Sequence, residues 1–158
     1  GSLYQYFPNK DSLLADLLEE HHRQVHEVVG RGLDRLRDHA TSLDDAIRSM
    51  LTDLLALHRA DPALTKALSA ATLRESPAAA ELDQNTKHAG EHHLVVRVLA
   101  SRPDVRRADH AVMAAVLAQT MAQLTRWLAH DAPADMDNTA LVEETVQLLV
   151  RYLQRDGA

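Results

Sequence analysis

Four of the five prolines, Pro62, Pro77, Pro103 and Pro133, separate stretches whose apolar residues recur at every third or fourth position, and the fifth, Pro8, precedes the first of them. Proline inside a helix removes a backbone hydrogen bond and clashes with the preceding turn, so it marks helix ends and first turns. The chain is thereby cut into helical pieces of bounded length. No stretch alternates as a half-buried strand does. Between the breaks Ala, Leu, Arg, Glu and Gln dominate, with only 5 Gly, and these are helix formers. The expected class is all-α, in one domain with a workable core for 158 residues.

Asn9 is placed to cap the first helix, with Asp11 in its first turn. Leu13, Leu14, Leu17, Leu18, His21, Val25, Val28 and Val29 form its stripe. Gly30 and Gly32 each cost about 1 kcal/mol relative to Ala in a helix, yet the pattern continues to Leu33 and Leu36, which leaves the boundary open. Ser42 caps a second helix carrying Leu43, Ala46, Ile47, Met50, Leu51, Leu54, Leu55 and His58. Asp61-Pro62 starts a short helix with Leu64, Leu68 and Ala71, and Ser76-Pro77 a longer one to about Ala100. After Arg102-Pro103-Asp104 an Ala-rich helix spans about 107–130. A loop at 132–135 leads to a last helix capped by Asp137 or Asn138.

The last two helices have wide apolar arcs. On the first, Met113, Leu117, Thr120, Met121, Leu124 and Leu128 form one line and Val112, Val116, Gln119, Gln123 and Trp127 another. A helix apolar over so much of its circumference needs cover on more than one side. Two readings stand: the outer faces form a seam with a symmetry mate, making a four-helix bundle, or both faces are internal core. The seam is assigned Val112, Val116, Gln119, Gln123, Trp127, Val142, Val146, Leu149 and Leu153, so a homodimer is expected.

With no cysteine, disulfides, thiolate metal sites and cysteine nucleophiles are excluded. The longest apolar run, Ala111 to Ala118, has 8 residues, whereas a membrane span needs about 20. No membrane association is expected, and the cytoplasm is the expected location. The net charge of −6 is the wrong sign for a general nucleic-acid binder.

The opening stretch Ser2-Leu3-Tyr4-Gln5-Tyr6-Phe7-Pro8-Asn9-Lys10, followed by an acidic residue and, after Ser12, by Leu13-Leu14, resembles the end of the recognition helix in the TetR family of regulators. The resemblance extends more weakly through the rest, to a closing pair of helices like 107–130 and 137–155. It implies that residues 1–10 are the remnant of a helix-turn-helix domain and 11–158 a ligand-binding and dimerisation domain. It also implies that Ser2, Tyr4 and Tyr6 face the major groove or its phosphates, that Lys10 touches phosphate, and that Leu3 and Phe7 face a small DNA-binding core. Tyr hydroxyls, Lys and helix N-termini are common phosphate partners. The first helices of such a reader are not in the sequence, and Gly1-Ser2 suits either the motif or a cloning scar. Operator binding is therefore expected only of an intact protein.

For an effector, the expected lining is Met50, Leu54, His58, Leu68, His88, His92, Met113, Leu117, Thr120 and Met121: adaptable apolar groups with few polar handles. His88 and His92 are equally compatible with satisfied core histidines. Pairs four apart, His22/His26 and His88/His92, have metal-ligand spacing. No HExxH-like carboxylate accompanies them, so no metal or other cofactor is expected. The acid pairs Glu19-Glu20, Asp44-Asp45 and Glu143-Glu144 diverge by about 100° on a helix and cannot converge on one substrate. With no phosphate loop or nucleophile motif, an enzyme is not expected. The expected function is a ligand-responsive DNA-binding regulator, a repressor released by a small lipophilic molecule. The alternatives are a stand-alone helical dimer or adaptor, and a metal-responsive regulator.

Overall fold

The structure, a computed structural model, describes residues 10–60, 90, 92–133 and 135–155. The described residues form α1 (Lys10–Arg37), α2 (Leu43–Ala60), a helical segment α3 (92–101), α4 (His110–His130) and α5 (Asn138–Leu153). One isolated antiparallel bridge, Val105 to Gln154, is the only extended pairing among them. The all-α expectation holds. The Asn9 cap, the short helix after Pro62 and the first part of the helix after Pro77 lie outside the described residues.

α1 does not end at its glycines. It runs through Gly30 and Gly32 to Arg37, and the reason is packing at Gly32. A Cβ there would come within 2.8 Å of Met50 Cγ, so the missing side chain lets α1 and α2 cross closely. At Gly30 a Cβ would meet open space. Asp38 then turns the chain, accepting from Ala40 N at 3.0 Å and from the Thr41 hydroxyl at 3.1 Å.

Ser42 caps α2 as expected: its Oγ accepts from Asp45 N at 3.0 Å and donates to the Asp45 carboxylate at 2.6 Å. This satisfies a donor that a helix start leaves orphaned. All eight residues of the expected α2 stripe, Leu43 to His58, are buried. α4 begins three residues later than the periodicity suggested, because Asp109 is its cap and accepts from Ala111 N at 2.9 Å. Asp137 caps α5 through Thr139 N at 2.8 Å.

α2 is the central element, packed against α1, α4 and α5, and α4 also packs on α5. Ion pairs brace these contacts: Arg35 to Asp53 at 2.9 Å between α1 and α2, and Arg48 bridging Asp44 to Glu143 of α5. At one end of the bundle the loop after α3 fastens the helix termini. Arg102, with a side chain only 2% exposed, forks onto Asp104 at 2.8 and 2.7 Å and donates to the carbonyls of Leu36 at 2.9 Å and Thr41 at 3.0 Å. Arg106 donates to the Tyr152 carbonyl at 2.7 Å, and its guanidinium lies 4.7 Å from the Tyr152 ring centre.

Candidate functional site

α4 presents two chemically different faces. Inward, Met113, Ala114, Leu117, Met121 and Leu128 are buried, together with Thr125, whose hydroxyl donates to the Met121 carbonyl at 2.6 Å. Outward, Val112 is 56% exposed, Val116 41% and Trp127 37%, with Gln119 and Gln123 exposed on the same side. Solvent-exposed β-branched and aromatic residues repeated along one helix are an uncovered apolar stripe.

On α5 the seam assigned from sequence falls on the wrong side. Val146, Leu149 and Leu153 are buried within the protomer at 0–2% exposure, and Val142 is half-buried. They belong to the core, since α5 turns them toward α2 and α4. The outward apolar residue of α5 is Leu148, 57% exposed. Its register was hidden because α5 is apolar over a wide arc, and successive helix positions differ by only about 100°.

Of the expected effector lining, Met50, Leu54, His58, Met113, Leu117 and Met121 are buried, on the facing helices α2 and α4. Thr120 and His92 are half-buried. Leu68 and His88 lie outside the described residues, as do Ser2, Tyr4 and Tyr6; Lys10 is the first residue of α1. A surface depression at the opposite end from His58 is lined by Arg37, Arg97, Val98 and Ser101, and is too polar to match that lining.

His58 is the polar group among these apolar residues. His21 meets its ring edge-on with centroids 5.8 Å apart, and His130 lies at 6.2 Å. Burial, then the neighbouring His21, His130 and Arg126, push the His58 imidazole down to about 4. Burial, followed by His22, also lowers His21. His21 thus meets His22 of its own helix at 6.4 Å and His58 of α2 at 5.8 Å. Among the described residues no group of three His, Cys, Asp or Glu side chains is arranged to hold a metal ion.

Residues 42–153, from the Ser42 cap to the last residue of α5, match the family described as the tetracycline repressor-like, C-terminal domain. The chain belongs to this family. Searches of curated proteins and of solved structures returned no significant match. The match makes this tetracycline repressor-like domain a member of a regulatory family, and no described helix is long and apolar enough to cross a membrane.

Three features of the domain escaped sequence reasoning. Arg102 read only as part of a breaker, although an Arg two residues before an Asp across a Pro is a possible fork. Leu148 was lost in the apolar arc of α5. The meeting of His21, His58 and His130 joins residues on three helices, and no spacing rule connects them.

Proposed function

We propose that this tetracycline repressor-like domain is the sensing and dimerising body of a ligand-responsive DNA-binding transcriptional regulator, a cytoplasmic repressor released by a small lipophilic molecule. The observation that carries this reading is the uncovered apolar stripe Val112, Val116 and Trp127 on α4, with Leu148 on α5, in a family whose domains usually dimerise. A second copy seated there buries what the protomer leaves open. In this reading residues 1–10 are the end of the DNA-recognition helix and 11–158 the body. Ser2, Tyr4, Tyr6 and Lys10 then contact DNA.

The effector would enter between α2 and α4, among Met50, Leu54, Met113, Leu117 and Met121, with His58, Thr120 and His92 as polar handles and Leu68 and His88 contributed from outside the described residues. Flexible methionines can repack around an apolar guest at small cost. A guest that favours one dimer geometry over another shifts the spacing of the two reading heads. The test uses a protein with a complete helix-turn-helix ahead of residue 1. It is selected against random duplex DNA, and binding is followed with salt and with a panel of lipophilic compounds. A palindromic site released by one compound is the expected result. No selected site, with a dimer still present, would leave the stand-alone helical dimer.

A further inference from the structure

At the end of the bundle away from Arg102, three imidazoles from three helices meet. His21 lies in the N-terminal half of α1, His58 near the end of α2, and His130 is the last residue of α4. Their rings are in series, 5.8 and 6.2 Å between centroids. His58, in the middle, is 7% exposed, and Nε2 of His130 is buried with no hydrogen-bond partner among the described residues. Among the described residues, the groups facing His58 are His21 from α1, with His22 beside it, and His130 and Arg126 from α4. The neighbouring Arg59 donates to the Leu128 carbonyl at 3.3 Å. From α5, the acidic side chain engaged with α2 is Glu143, bound by Arg48 farther back along the helix.

We propose that His58, set between His21 of α1 and His130 of α4, is a proton-operated latch, which when neutral holds the N-terminal half of α1 against the ends of α2 and α4 and when protonated releases it. That half of α1 is the weakly anchored one. Leu13, Leu17, Leu18 and Val25 are half-buried, whereas Val28, Leu33 and Leu36 are fully buried farther along. Segments with few buried contacts open locally at small cost. A proton placed on the cluster meets two further imidazoles and a guanidinium where water is scarce, so opening is the relief. With the His58 imidazole at about 4 in the closed state and 6.5 as the ceiling once α1 has opened, linkage multiplies the open population by at most about thirty-fold at pH 5, because His130 and Arg126 stay beside it on α4. The released segment adjoins residues 1–9, though the latch does not depend on their being a DNA reader.

Amide hydrogen exchange of the full chain, corrected for the intrinsic effect of pH, tests this at about pH 7.5 and about pH 5. Exchange in 13–25 should accelerate about tenfold or more at the lower pH, exchange in 33–37 should not, and H58Q should remove the difference. An equal acceleration in H58Q, or one shared by both halves of α1, overturns the latch. Should H58Q fail to fold, the ring protons of His58 in the native chain decide: titration below about pH 5 supports it and titration near the ordinary imidazole value overturns it. A zinc-dependent rise in melting temperature lost in H21Q, H58Q and H130Q alike would mark a metal site and overturn the proton reading.

Discussion

Arg102 shows how one side chain can hold several elements. Four of its five donors reach a carboxylate and two carbonyls that end α1 and the following turn. A buried guanidinium is tolerable because a carboxylate and two carbonyls take up its charge and four of its donors. Truncation in R102A leaves the Leu36 and Thr41 carbonyls and Asp104 without it, and should cost about 3 kcal/mol in urea unfolding. R102K should recover little, since an ammonium cannot fork onto a carboxylate and two carbonyls together. The two glycines of α1 offer an opposed pair. G30A faces open space and should stabilise by about 0.5–1 kcal/mol through helix propensity. G32A must displace Met50 and should destabilise by about 1 kcal/mol or more, the overpacking outweighing the same propensity gain. Calorimetric melting of both variants checks the signs. An equal response at the two positions would show that the approach of α2 is not tight at Gly32.

At the scale of elements, α4 and α5 were each legible as helices and each ambiguous in orientation. Asp109 and Asp137 as caps fix where they begin, and D109A should cost about 1 kcal/mol. Their rotation is a matter of packing. V116D, on the open face of α4, should leave helical content and melting of the protomer nearly unchanged while abolishing association in light scattering. V146D places a charge in the protomer core and should unfold it. If V116D left the assembly intact, the α4 stripe would not be the seam. L148D is expected to follow V116D rather than V146D, although the two α5 residues are only two positions apart.

For the whole molecule, pH acts in one direction. His58 and His21 are held below the ordinary imidazole value by burial and by like neighbours. The unfolded chain therefore takes up protons first as pH falls below about 6.5. Their contribution to stability is complete above that value and lost progressively on acidification, down to about 4 for His58. Asp104 is also lowered, by the Arg102 hydrogen bond, so its contribution is lost at still lower pH, as its folded-state carboxylate protonates. Melting temperature should accordingly fall steadily from neutral pH to about 4, with the slope above pH 5 reduced in H58Q. A flat profile in that range would contradict the burial of the imidazoles.

Much of this protein is local information. Pro103 and Pro133, the Ser42 and Asp137 caps and the eight-residue stripe of α2 determined the described helices they bound, their order and which face of α2 is core, because capping and amphipathic periodicity act within one or two turns. The opening motif and the closing helices pointed to the family that residues 42–153 match. Tertiary structure alone decided three things: that α1 continues through Gly32 under Met50, that Val146, Leu149 and Leu153 turn inward while Leu148 turns out, and that His21 finds His58 and His130. Each depends on where a second or third helix lies, and a wide apolar arc or a lone histidine is equally compatible with several placements until its neighbour is docked.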